Sequence, residues 1–490
     1  MSSYSFEREY RLVQQTPLIH FQHDQAGATL RATEVKPKLD RFLLRKFCKH
    51  SPELSKEEIY KKLREKGWMM QKSETLCYRM QITADGICNK SNTIELDIDA
   101  KKRAVLDGTS LGQARNTLKR ERRDQYTGIN AMYFGNMVND RLHIDEYQAE
   151  VAEKYKETIF NSMIILRVRC FIPELLQEID GHIREFFVLH NFGCRQSKGF
   201  GGFLTDDTTN SDVRTIISAS GEPNICAHLP ANTTIEQAMN HAMTLYAILK
   251  GGLNLTNPDH VGETEANAPY IKGYALRNYL DENTGSDKAY MKSTIVDVPD
   301  NRQMREANKG EYQNYVFIRA LLGLTDHFEF RFRGYRQQTV FVMQYDSTRF
   351  ENGRLCIDLN DIINNSGIHR LQSPILIKVY NNRIYFIMTP GYNEALGKIF
   401  LLLNADEHER IRRLKNQRNP DYSEIQSILE GAHYLATPTE FDPISFLDGF
   451  VTYFEDQKKR LGNFNRNGFM KATYFPSKDV TMKKVGEDNE

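Results

Sequence analysis

Apolar and polar positions along this chain repeat with two periods, close to two and close to 3.6, and the switches between them mark its elements. Tyr4 to Thr16 (YSFEREYRLVQQT) alternates as a strand does and runs up to Pro17. A polar loop from Gly27 to Lys36 follows, and Leu39 to Phe47 (LDRFLLRKF) predicts a short amphipathic helix behind Pro37. Ser51 to Met69 predicts a second helix, with Ser55 as N-cap and Glu57 and Glu58 in its first turn. TLCYRMQITA and TIELDI predict strands, and so does SMIILRVRCF, which puts Arg167 and Arg169 on one face. Pro173 opens a helix whose apolar stripe is Leu175, Leu176, Ile179, Ile183, Phe186, Phe187 and His190, and the pattern stops at Gly193.

The second half opens on an apparent strand, VRTIISAS, and Ile235 to Leu249 predicts a helix. In FEFRFRG the phenylalanines 328, 330 and 332 alternate with Glu329, Arg331 and Arg333, which is strand-like, with the rings packed as a buried sheet face. SPILIKVY and RIYFIMT predict a hairpin around Asn381-Asn382. Phe446 to Leu461 is a last helix, leading into GNFNRNGF, and the tail KDVTMKKVGEDNE reads as mobile. In the first half the order is β-α-β-β-α-β, the split arrangement of a ferredoxin-like sheet and of the RNA-recognition-motif scaffold. Lys36…Arg41 and Lys272…Arg277 share a five-residue Lys-to-Arg spacing where a short helix begins, a weak internal repeat. The expected class is therefore α+β: two tandem ferredoxin-like (RRM-like) domains with insertions, at 1–207 and 208–490. The cation-dense stretch from Lys101 to Tyr126 is one such insertion.

Composition narrows the partners. With 490 residues and 40% hydrophobic positions, the chain is long enough for more than one core. Its formal net charge is +1, too low for a free-standing, non-specific nucleic-acid binder, so any such role rests on local patches or on partner subunits. The seven cysteines are scattered, without a CxxC pair, which speaks against a disulfide framework and a zinc site and fits a reducing cytoplasm. No apolar signal core and no run of about 18 apolar residues is present, so no membrane span is expected. Nothing in the sequence marks a cofactor or a metal site.

The densest candidate chemistry is VLHNFGCRQSKGFGGF, where Gly193, Gly199, Gly201 and Gly202 are interleaved with Arg195, Ser197 and Lys198. Glycines can expose backbone N–H groups and the cations add positive charge, a combination that suits a phosphate chain. The spacing is not that of a P-loop, and the loop follows a helix rather than preceding one, unlike a dinucleotide fingerprint. A tight turn that simply needs glycine is the plain alternative. A second cluster, Arg31, Lys36, Lys38, Arg41, Arg45 and Lys46, sets Lys38, Arg41 and Arg45 on one helix face, to grip phosphates or merely to face solvent. Lys272 and Arg277 raise the same choice, as do Arg331, Arg333 and Arg336 beside Phe332 and Tyr335. His23-Asp24 is too short a motif for a phosphohydrolase, and no H-E-x-x-H, G-x-S-x-G or GGDD occurs.

These residues, in this order, resemble the RAMP superfamily of CRISPR-associated proteins. The first half offers a strand, a loop with Arg31 and Lys36, a helix with Arg41, then a helix followed by G-x-R-x-S-K-G-F-G. The second offers Arg370, Ser373 and Pro374 leading a strand pair. Within the superfamily the chain is most similar to the two-domain head-end subunit of the type III-B (Cmr) effector. The resemblance implies a non-catalytic subunit of an RNA-guided antiviral ribonucleoprotein, holding CRISPR guide RNA and target RNA among other effector subunits, with no catalytic position to carry over. The leading alternative is a RAMP-type endoribonuclease that processes precursor CRISPR RNA, with His182 or His190 as acid or base. A protein-only scaffold is the third.

Overall fold

The computed structural model describes residues 6–19, 29–84, 88–91, 107–110, 113, 158–161, 163–254, 270–277, 285–296, 315–324, 326–330, 338–365, 367, 371–464 and 480–484. The chain is α+β and forms two compact units. The first takes Met1–Thr244, Leu376–Ile387 and Thr473–Glu490; the second takes Leu245–Ile375 and Met388–Ala472. The expected boundary between 207 and 208 falls inside the first unit.

The first unit begins with β1 (Glu7–Gln14), α1 (Ala32–His50), α2 (Lys56–Glu65) and β2 (Arg79–Ala84). The short β3 (Cys88–Ser91) and β4 (Thr158–Asn161) pair with each other, and then come β5 (Ile164–Arg169), α3 (Pro173–Leu189) and β6 (Phe203–Thr205). The main sheet runs β2-β5-β1-β6 with every pair antiparallel. Strand alternation sends Leu12, Ile164, Leu166 and Val168 inward against Leu39, Phe42 and Leu43 of α1 and Leu175, Ile179, Ile183 and Phe186 of α3. On the other face Arg167 and Arg169 pair with Glu9 and Glu7 across the β1–β5 register.

Helix α1 starts well before the expected Leu39. Pro37 sits inside it, and the turn is held by Glu34 and Val35 N–H groups on Arg31 O, by a Glu34–Lys38 ion pair, and by burial of Val35. Ser55 caps α2 as expected, in a reciprocal capping box with Glu58. The stretch VRTIISAS is not a strand but lies in α4 (Asn210–Ala219). Thr209 and Asp212 form its capping box, and Val213 and Ile217, four apart, make its buried stripe; the β-branched residues masked a helical period.

A second sheet completes this unit: β7 (Asn224–His228) lies between two segments from far along the chain. Helix α5 (Ile235–Lys250) follows β7 and runs on into the second unit. In the second unit come β8 (Gly252–Asn254), β9 (Tyr270–Lys272), α6 (Tyr274–Arg277), β10 (Gly285–Ser286), α7 (Asp287–Thr294), β11 (Tyr315–Val316) and α8 (Ile318–Leu321). They are followed by β12 (His327–Phe330), β13 (Gln338–Met343), the β14 (Arg349–Glu351) and β15 (Arg354–Cys356) hairpin, and α9 (Leu359–Asn364). Strands β16 (Ile375–Tyr380) and β17 (Arg383–Met388) form the expected hairpin, with Asn381 left-handed at φ 50°. Then come β18 (Ile399–Leu403), α10 (Ala405–Lys415), α11 (Tyr422–Glu430), β19 (His433–Ala436), α12 (Pro443–Phe464) and β20 (Thr481–Lys484).

The second unit is built on a six-stranded sheet, β10-β11-β19-β18-β13-β12, in which β11 is parallel to both neighbours. Phe330 of β12 is buried in its core, as the alternation predicted, whereas Arg331, Arg333 and Arg336 lie outside the described residues. So do His23, Asp24, Arg370, the strand TIELDI and most of 101–126. Among the described residues no helix is long and apolar enough to cross a membrane.

The tail departs from the expected mobile segment. Its β20 pairs with β7 in the first unit, in the order β16-β17-β7-β20, and buries Val480 and Met482. Met482→Ala should therefore cost about 2–5 kcal/mol of stability, as buried Met truncations do, measured by chemical denaturation. A tail without structure would show no change.

Candidate nucleic-acid interface

Helix α3 places the glycine loop. Pro173 stands at its first turn, seven apolar side chains bury its inner face, and it ends at Leu189, with His190 already extended at φ −132°. Asn191 then bridges Gly202 in antiparallel fashion, closing residues 192–201 into a loop. Phe192 N–H donates to Gly201 O at 2.9 Å, Gly201 N–H to Pro17 O at 2.8 Å, and Cys194 N–H to Ile19 O at 2.8 Å. Gly193 N–H donates to Glu34 Oε1 at 2.6 Å, and Gly202 N–H to Thr16 Oγ1 at 2.7 Å.

These bonds correct one expectation. The amides of Gly193, Gly199, Gly201 and Gly202 were expected to point outward at phosphate, yet each donates within the fold. The glycines serve close approach instead. At Gly201, φ is +68° and a Cβ would lie 1.8 Å from Phe192 O; at Gly193, φ is +78° and a Cβ would lie 2.6 Å from Ile19 O. The rest of the loop is half-buried: Arg195 and the 3-10 turn Gln196–Lys198, which contains Ser197. Arg195 is left-handed at φ 56°, a strained place for a side-chain-bearing residue, and is held there by the closed loop around it.

The α1 cluster splits in two. Lys36 donates to Asp40 Oδ2 at 2.8 Å and to Leu76 O at 3.1 Å, with its ammonium 4.2 Å from the Tyr78 ring centre. Lys38 donates to Glu34 Oε1 at 3.1 Å, Asn191 O at 3.0 Å and Gln196 Oε1 at 2.5 Å, which uses all three ammonium protons. Burial lowers its pKa, and Glu34 opposes that shift. Lys46 pairs with Glu185. Arg41 and Arg45 differ: one turn apart, both are exposed, and neither has a carboxylate within 4.0 Å among the described residues. Arg31 is the half-buried N-cap residue of α1. The structure thus joins α1 to the glycine loop through Lys38 and leaves two arginines on the outer side of the same helix. Lys272 closes β9 and Arg277 ends α6 in the second unit; their side chains lie outside the described residues.

Family comparison bears on the same segments. A model of the Cmr1 N-terminal domain matches residues 5–253, and one of the Cmr1 C-terminal domain matches 270–471. The chain belongs to the Cmr1 family. It is a RAMP subunit of the type III-B Cmr effector, as the resemblance implied. No curated protein and no solved structure matches it significantly.

In this Cmr1 chain the most deeply placed cation among the described residues is one that sequence reasoning missed. Lys378 on β16 has no exposed surface, and its ammonium donates to Phe187 O at 2.7 Å, His190 O at 3.0 Å, Asn191 Oδ1 at 3.1 Å and, weakly, Phe203 O at 3.5 Å. Burial pushes its pKa down to about 7. The alternation of Ile375, Ile377 and Val379 turns Lys378 to the other face of β16, where a lysine reads as a solvent-facing residue, so its burial left no signal in the sequence. Asn191, Glu34 and Gln196 gave no signal of their own.

Of the two histidines expected as acid or base in the enzyme alternative, His190 sits poorly for that work. His190 packs against Phe186 and Phe42, ring centres 4.7 and 5.5 Å away, with Nδ1 3.0 Å from Phe186 O. Burial pushes its pKa down to about 3, so the ring is neutral at physiological pH and a poor general acid. His182 lies between Glu178 and Glu185, at 3.7 and 3.3 Å.

The depressed His190 pKa carries a pH signature. Below the ordinary value of 6.5 the unfolded ring takes up a proton while the folded ring does not until about pH 3, so stability is lost as pH falls through that window. His190→Phe should flatten the stability profile between those limits, read by denaturation at a series of pH values. An unchanged slope would show that the ring is charged in the folded protein.

Proposed function

We propose that this chain is a non-catalytic, RNA-holding subunit of the Cmr effector, gripping guide RNA, or the guide–target duplex, by its backbone. The family places it in the effector. The observation that carries the rest is the pair Arg41 and Arg45, exposed and without carboxylate partners among the described residues, on a helix tied by Lys38 to the loop bearing Arg195, Ser197 and Lys198. Guanidinium groups on a rigid helix suit phosphate oxygens, and contacts of that kind hold a strand without reading its bases, as a guide carrier requires. Lys36 and Lys38, spent inside the fold, frame the site and Arg31 extends it; on this reading Lys272 and Arg277 are separate RNA contacts that belong to the second unit.

The strand order β2-β5-β1-β6, with helices after β1 and β5, supports a ferredoxin-like reading of the first domain, 1–207. We take 208–490 as a second, diverged copy whose main sheet is the six-stranded one. Target RNA, the other Cmr subunits and a cytoplasmic setting complete this reading.

The test is RNA affinity of the reconstituted complex, carrying either Arg41→Ala/Arg45→Ala or Arg195→Ala/Lys198→Ala, across a salt series. Each pair should weaken single-stranded RNA binding and flatten the log–log salt slope by about 0.7 per phosphate contact removed. Full assembly with unchanged affinity and slope in both would overturn the proposal.

A further inference from the structure

Lys378 reaches the glycine loop from far away in sequence. Its hairpin, β16–β17, lies in the segment that the Cmr1 C-terminal model matches, yet residues 376–387 belong to the first compact unit, where β17 pairs with β7. A lysine there is costly. The side chain is fully buried, and all four oxygens it reaches are neutral: three backbone carbonyls and one amide oxygen. Its neighbours on the same face of β16, Leu376 and Tyr380, pack against the apolar cluster of Val188 and Leu204, so apolar side chains serve this face well. The ammonium must therefore be worth more for what it holds than for the space it fills.

It holds the corner between α3 and the loop. Phe187 O belongs to the last turn of α3, where carbonyls lack helical partners and the helix dipole is negative, and His190 O to the extended residue that ends the helix. The third contact, to Asn191 Oδ1, sets the orientation of that amide, because Asn191 Nδ2 is thereby directed to Gln196 O and Ile377 O, both at 2.8 Å. Gln196 opens the short turn that Arg195 precedes and Lys198 closes, and its own side-chain oxygen is taken by Lys38. A continuous path of hydrogen bonds runs from the buried ammonium through Asn191 to the turn that presents the two cations.

We propose that Lys378 is a positioning residue for RNA: through Asn191 and Gln196 it fixes the turn from which Arg195 and Lys198 meet the phosphate backbone. The inference rests on the RNA reading of this loop given above. It makes a segment of the C-terminal family domain part of the RNA-holding apparatus of the N-terminal unit.

The experiment is a double-mutant cycle in the reconstituted complex, with fluorescein-labelled single-stranded RNA of guide length as probe and thermal unfolding as the check on folding. Lys378→Met should weaken binding about tenfold, the scale of one lost charged hydrogen bond, and Lys378→Gln, which keeps two donors, should weaken it less. In an Arg195→Ala/Lys198→Ala background Lys378→Met should add less than about twofold, because the groups it positions are gone. If Lys378→Met fails to fold, Lys378→Gln takes its place in the cycle. Unchanged affinity in a folded Lys378 variant overturns the inference, and so do losses that simply add, since those mark a structural role alone. Unchanged affinity in Arg195→Ala/Lys198→Ala by itself overturns the RNA reading of the loop and the inference with it.

Discussion

Two lysines converge on one buried asparagine, and the geometry of the candidate interface depends on that knot. Lys378 approaches Asn191 from the β16 side and takes its side-chain oxygen, while Lys38 approaches from α1 and takes its backbone oxygen. Asn191 returns both amide protons to carbonyls, of Gln196 and Ile377. Three segments that are distant in sequence, around residues 38, 191 and 377, are thereby held by short polar contacts about the buried Asn191 and Lys378. Removing any member leaves a buried donor or acceptor without its partner, the costly outcome in a low-dielectric interior.

The same economy explains how the cations of α1 divide. A lysine ammonium at a helix surface can turn back to a carboxylate one turn away, as Lys36 does with Asp40 and Lys38 with Glu34. Charges satisfied in that way hold the helix to its neighbours and add little to the outer field. Arg41 and Arg45 have no such partner among the described residues, so their field reaches solvent. A chain whose formal charge sums to +1 can still carry a locally positive edge, because the compensating acids pair elsewhere. Glu7 and Glu9 do so against Arg169 and Arg167 on the outer face of the sheet.

Much of the first unit was legible because its elements are long enough to show a period. The α3 stripe, the Ser55 cap and the β16–β17 hairpin all came from spacing and turn chemistry that act within a few residues. The failures have local causes too. Pro37 hid a helix that begins before it, since burial of Val35 outweighs the missing N–H. The run of β-branched residues in VRTIISAS spoke for a strand, while the Thr209–Asp212 box and a stripe of Val213 and Ile217 decided for a helix. A four-residue strand with a single buried hydrophobic side chain, Met482, and Val480 buried just before it is too brief to stand out from a tail.

At the site, the residues were readable and their duties were not. The family came from a resemblance of ordered motifs; the apolar rod of α3, the run of glycines after it and the supply of cations nearby were legible from spacing, because those depend on residue type and near neighbours. Which amide is spent, which lysine is buried and which arginine stays outside depend on atoms brought from tens or hundreds of positions away. Glu34 meets Gly193 across 159 residues and Lys378 meets Asn191 across 187, and only the folded chain puts such groups within hydrogen-bond reach.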